Sequence, residues 1–166
     1  MILGEVITGI LNPALRLLPA RLDSDEARMM LLAIGQQESR FKFRRQLGDG
    51  PARGFWQFEK GTRASRGGVW GVYLHESSNY LLQGVCEARG CIFDPASIWT
   101  RLEVDDILAC CVARLLLLTN PKPLPDPDDS SGAWDYYLNT WRPGKPHHQT
   151  WDAFHDAAAI AMGRGL

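Results

Sequence analysis

Long apolar runs are missing from this chain of 166 residues: the run Leu115-Leu116-Leu117-Leu118 is bounded by Arg114 and Asn120. Spanning a bilayer takes roughly 18 apolar residues, so no membrane span is expected. The chain also lacks charge of one sign. Its 18 Lys and Arg against 19 Asp and Glu leave a formal net charge of −1, which gives no global field toward nucleic acid or an acidic membrane. Any site for a polyanion must be local. Cysteine is scarce and unpatterned: Cys86, Cys91, Cys110 and Cys111 form no CxxC pair, and His147-His148 lie far from them in sequence. No metal site and no cofactor is expected. Cys110 and Cys111 fall in an apolar helical pattern and read as small core residues, while a Cys86–Cys91 bridge is neither required nor ruled out. The apolar start, Met1-Ile2-Leu3-Gly4-Glu5-Val6-Ile7, has no basic residue before it, carries Glu5 inside it and soon meets Pro13. No secretory signal is expected, and the reading is of a soluble protein.

What is present fits one mainly α domain with little or no β. A hydrophobic content of 45% in a chain of this length can bury a core without staples. Residues 1–23 read as a helical lead-in, with Leu3, Val6, Ile7 and Ile10 at helical spacing and Pro13 and Pro19 as punctuation. Residues 24–60 carry the chemistry. A helix should begin near Ser24, where Asp23 or Ser24 can cap it, Asp25 and Glu26 suit the positive end of its dipole, and Ala27, Met30, Leu31 and Ile34 make one apolar face. It runs into Gln37-Glu38-Ser39. Lys42 to Gly54 has no periodicity and reads as a loop, followed by a short helical turn through Phe55-Trp56-Gln57-Phe58-Glu59. Residues 61–166 form a helical remainder. One or two helices are expected over 69–89, and a helix apolar nearly all round over 104–118, hence central. A proline-rich surface loop at 121–129, a helix at 133–141, the stiff turn Arg142-Pro143-Gly144-Lys145-Pro146 and a last helix at 150–163 complete the chain. No hairpin signal stands out.

General-acid chemistry needs a carboxylic acid that stays protonated near neutral pH, and apolar surroundings provide one by disfavouring the charged form. Glu38 sits where this can happen, after an apolar-faced helix and near Phe41, Phe43, Phe55 and Trp56 in sequence. Taken alone, a Glu at a helix end is usually a solvated side chain. The spacing adds weight. Gln37-Glu38-Ser39-Arg40-Phe41 and Gly50-Pro51-Ala52-Arg53-Gly54-Phe55-Trp56-Gln57 set Gln57 nineteen residues after Glu38. Together the two blocks resemble the signature of the lytic transglycosylases of the lysozyme superfamily, a helix ending in Glu-Ser followed by Gly-Ala-x-Gly-Leu-Met-Gln. The likeness covers residues 27–60 well and the rest in outline.

That resemblance implies a lysozyme-like fold and cleavage of bacterial peptidoglycan glycan strands between N-acetylmuramic acid and N-acetylglucosamine. Residue by residue, it implies that Glu38 is the catalytic acid and base, that Ser39 helps hold it, and that Gln57 bonds substrate or the Glu38 region, with Gly54 allowing the approach. Phe55 and Trp56 read equally as core or as aromatic cleft walls for sugar rings. The family's third block, Ala-Tyr-Asn-Ala-Gly, is altered here to Tyr136-Tyr137-Leu138-Asn139-Thr140-Trp141. Tyr137 is the choice for its hydroxyl, with Asn139 second. Lys42, Arg44, Arg45 and Arg53 suggest a basic rim for the carboxylates of the wall, provided that their side chains point away from Glu38. A second catalytic acid would have to be Asp49 or Glu59, as in goose-type lysozymes, yet neither interval matches; the lone-Glu mechanism is the expectation. A small wall-degrading domain of this kind is similar to proteins carried in bacteriophage particles. That suggests synthesis in the bacterial cytoplasm, partners among virion or tail proteins, and action in the periplasm or wall. The rival reading is a structural virion or tail protein that keeps the fold without turnover. A third, an endolysin released at lysis, has the same chemistry.

Overall fold

The helix that carries Glu38 starts where the sequence supplies its cap. In the computed structural model, which describes residues 1–164, the Ser24 hydroxyl oxygen accepts the Ala27 amide at 3.3 Å and opens α3 (Asp25–Ser39). Asp23, the other candidate cap, instead holds the Arg28 guanidinium through both carboxylate oxygens at 2.6 and 2.8 Å. α3 ends at Ser39 because Arg40 and Phe41 turn left-handed, at φ 54° and 51°. The Phe41 ring then folds back over the helix. A side chain on Gly35 would meet that ring at 2.1 Å, so only glycine leaves room there.

The architecture is helical, 59% helix against 2% strand, and is arranged around α7 (Asp106–Thr119). Asp105 caps that helix by accepting the Leu108 amide at 3.0 Å. Leu108, Val112 and Leu115 are fully buried, and so are Cys110 and Cys111, which are free thiols in the core as expected. Burial on every side leaves Arg114 inside, where its Nε–H donates to the Leu22 carbonyl at 2.7 Å. Around α7 lie α2 (Asn12–Leu15), α3, α4 (Gly68–Leu74) and α5 (Asn79–Arg89). α8 (Ser130–Trp141) and α9 (Trp151–Ala161) pack against α3. Cys86 and Cys91 are also free thiols. Among the described residues no helix is long and apolar enough to cross a membrane.

The structure departs from the periodicities in several places. Pro13 does not end the first helix. α1 (Leu3–Val6) continues through a π-helical turn (Ile7–Leu11) into α2, and the wider turn accommodates the missing proline amide while keeping Val6, Ile10, Leu11 and Ala14 on the buried face. α6 (Pro95–Arg101) was not foreseen. Asp94 caps it through the Ser97 amide and Pro95 starts it, but seven residues carry too little periodicity to stand out. Val104, assigned to the apolar face of the central helix, is 75% exposed and precedes it. The helical turn expected at 55–59 is a tight hairpin: Arg53 and Phe58 exchange amide-to-carbonyl bonds at 2.9 and 2.8 Å. Gly54 at φ 73° and Gln57 at φ 49° make that reversal.

Candidate active site

Glu38 lies in the last turn of α3 and lines a cleft of about 1510 Å³. The walls come from the loop and hairpin at 43–61, the 65–71 segment, and the stretch running from the end of α8 into the turn at 142–147. Phe58 and Trp141, whose rings meet edge to face at 5.7 Å, both line it. Phe43, 45% exposed, adds a free aromatic face.

Desolvation dominates the electrostatics of Glu38. Burial raises its carboxyl from 4.5 to about 7, and the single opposing influence is a hydrogen bond from Tyr137. The phenol donates to Oε1 at 2.7 Å. No cation or second carboxylate is among the causes of the shift, and of the neighbouring loop's arginines Arg44 and Arg53 pair with Asp106 and Glu103 instead. Burial pushes the Tyr137 hydroxyl well above its ordinary value, keeping it a donor at any physiological pH. Its ring is clamped by Trp151, stacked at 5.2 Å and 17°, and by Trp134 at 5.3 Å. With Oε1 committed to Tyr137, the proton of the neutral acid resides on Oε2.

Tyr137 is thus the hydroxyl brought to the acid, whereas Asn139 is not. Two residues apart on α8, they project about 200° apart. Asn139 sits on the cleft rim, and its Nδ2 donates to the Asp135 carbonyl at 2.8 Å within its own helix. Ser39 does not touch Glu38. Its buried hydroxyl donates to the Gly35 carbonyl at 3.2 Å and accepts the Phe41 amide at 3.1 Å, fixing the helix end on which Glu38 stands. Gln57 lines the cleft, but its Nε2 is spent on the carbonyls of Gly54 and Phe43 at 2.9 and 3.3 Å.

Phe55 and Trp56 belong to the core and are not cleft walls. They are 1% and 0% exposed, because the hairpin turns both inward. Trp56 Nε1–H donates to the Leu31 carbonyl of α3 at 2.9 Å, and the Trp56 carbonyl accepts Trp141 Nε1–H at 3.1 Å. Phe41 meets both rings edge to face. The aromatic faces open to the cleft are instead Phe43 and Trp141.

The expected basic rim is also redistributed. Arg44 forks onto Asp106 at 2.8 Å and lies over Phe55, while Arg53 is buried against Glu103 at 3.0 Å and over Trp99. Of that quartet only Arg45 lines the cleft. Arg66, Lys122, Arg142 and Lys145 join it. No sequence signal marked these residues as a cluster, since they come from three separate loops. Of the two candidate second acids, Glu59 lines the cleft and Asp49 does not; its side chain is 94% exposed. Among the described residues no three His, Cys, Asp or Glu side chains converge as metal ligands.

Removing the Tyr137 hydroxyl has a definite expected consequence. Tyr137→Phe deletes the bond that lowers the Glu38 pKa, so the Glu38 titration should move up by about one pH unit, given the strength of bonds to ionised acceptors. Carboxyl chemical shifts of labelled Glu38 across pH 4–9 measure it. An unchanged or lowered midpoint would mean that the phenol does not act on Glu38.

Neither a protein-family model, nor a curated protein, nor a solved structure matches this chain.

Proposed function

We propose that this protein cleaves the glycan strands of bacterial peptidoglycan between N-acetylmuramic acid and N-acetylglucosamine, as a lytic transglycosylase of lysozyme-like fold. One observation carries the reading: a carboxyl held near pKa 7 by burial, its hydrogen bond coming from a phenol, in an open cleft with aromatic residues in its walls.

The chemistry follows from the two states of that group. Neutral Glu38 donates its Oε2 proton to the oxygen that joins muramic C1 to N-acetylglucosamine, and the C1–O bond breaks as the sugar leaves with its hydroxyl. The carboxylate so formed takes the proton of the muramic C6 hydroxyl, and O6 bonds to C1. Glu38 ends protonated, no water is consumed, and the product is a 1,6-anhydromuramic end. A pKa near 7 suits both halves, since the same group must give and then accept a proton. Tyr137 fixes the rotamer and offers compensation when the carboxylate is charged. A conventional hydrolase would require a second carboxylate acting on water or on C1; among the described residues the other carboxylate lining the cleft is Glu59, so its substitution distinguishes the two outcomes.

Zymography tests the activity itself. Clearing of a peptidoglycan gel is expected, with a rate that falls as pH rises through about 7 because the acid form disappears. A correctly folded protein that leaves sacculi intact at every pH would instead be a structural component with the fold and no turnover.

A further inference from the structure

The cleft is cationic although the chain is not. Five Lys and Arg side chains line it, Arg45, Arg66, Lys122, Arg142 and Lys145, against the carboxylates Glu38 and Glu59. Two carboxylates thus face five cations, in a protein whose formal net charge is −1. Arg66, Lys122, Arg142 and Lys145 are exposed and make no ion pair among the described residues. Arg45 has only the loose contact of 3.9 Å with exposed Asp49. The arginines just behind the cleft, Arg44 and Arg53, are by contrast firmly paired with Asp106 and Glu103.

Backbone conformation makes a second, independent point. Arg66 at φ 50° and Arg142 at φ 52° both occupy the left-handed region. There a residue with a Cβ is disfavoured and glycine would be easier to accommodate. Two of the free cations therefore sit at positions whose local geometry favours a residue without a side chain. Concentrating unpaired positive charge on one concave surface raises the local concentration of anionic ligands and fixes their register.

We propose that the rim of this cleft recognises the free carboxylates of the wall's peptide stems, making the protein specific for peptide-substituted, anionic glycan strands over neutral ones. This rests on the peptidoglycan reading above. Glu38 would address the sugar linkage, and Arg66, Arg142 and their neighbours the acidic substituents that flank it.

The test separates recognition from cleavage by measuring binding with Glu38→Gln, which keeps a neutral, isosteric side chain at the acid. Two preparations of teichoic-acid-free sacculi are compared by co-sedimentation at low salt: untreated, and with free carboxyls converted to amides by carbodiimide coupling to methylamine. At least tenfold tighter binding to the untreated sacculi is expected, with the difference disappearing in 0.5 M salt, where the screening length is about 4 Å. Adding Arg66→Gly and Arg142→Gly should remove most of the preference without lowering the unfolding temperature, since glycine suits both backbones. Arg16→Gln with Arg21→Gln, exposed cations outside the cleft, should leave it intact. Equal binding to both preparations would overturn the proposal, as would equal losses in the rim and control variants. Preferential binding by a protein that never cleaves sacculi would uphold it while defeating the transglycosylase activity alone.

Discussion

Glu38→Gln is expected to abolish wall cleavage and, above pH 7, to make the protein more stable. The activity loss follows from the role: a positioned general acid contributes about 10² to 10⁴-fold, and the amide can neither give nor take the proton. The stability gain follows from the same burial. The folded-state pKa lies above the unfolded value, so between pH 4.5 and about 7 the folded protein binds the extra proton, and stability falls as pH rises through that window. Above it, the full cost of burying a carboxylate is present. A displacement from 4.5 to about 7 corresponds to about 3 kcal/mol at ~1.4 kcal/mol per pH unit. The variant should match the parent near pH 4 and exceed it by up to that amount at pH 8, in urea titrations at the two pH values. Such a pairing of lost activity with gained stability marks a residue kept for chemistry. An equally active variant, or one with a pH-independent stability difference, would remove Glu38 from the role.

Gly54→Val is expected to unfold far more easily than the parent, for reasons that lie behind the cleft. Gly54 turns the hairpin at φ 73°, and a Cβ there would stand 3.0 Å from the Leu102 carbonyl oxygen and 3.2 Å from Ala109 Cβ. Left-handed backbone at a residue with a side chain costs about 1–3 kcal/mol, and overpacking against a rigid helix about as much again. Together these reach about 2–6 kcal/mol, a large part of the ~5–15 kcal/mol of a typical domain. Activity should fall with the folded fraction. A midpoint within ~0.5 kcal/mol of the parent, the range of an ordinary surface change, would show that the glycine is dispensable.

Much of the site was legible because its parts are local. The Ser24 cap, the apolar face and the Glu38-Ser39 end of α3 are written in consecutive residues, and α7 announced its central place by being apolar all round. Tyr137 is picked out by the resemblance to the family's third block, in which its residue type is kept although the spacing is altered. Its preference over Asn139 becomes clear only on the helix, where an i, i+2 pair cannot face one carboxylate. The misreadings cluster where the chain has no period. Phe55 and Trp56 follow Gly54 in a hairpin whose two left-handed residues turn both rings into the core, and no pattern of polarity encodes that. The sequence suggests a basic rim of Lys42, Arg44, Arg45 and Arg53 because they lie between the two blocks, yet of these only Arg45 lines the cleft. Arg44 and Arg53 are held by Asp106 and Glu103, 62 and 50 residues further on, beyond any local reasoning. The cations that do reach the cleft gather only after α4, α7 and α8 have packed.

The central claim is that one carboxyl, acting alone, cleaves the strand without water. Mass spectrometry of the muropeptides released from purified sacculi tests it most directly, because anhydro products are lighter than hydrolysed ones by one water. The account predicts 1,6-anhydromuramic ends, produced as well by Asp49→Asn and, for the most part, by Glu59→Gln. Reducing ends as the main product, together with an inactive Glu59→Gln, would contradict it and make Glu59 the second acid of a hydrolase.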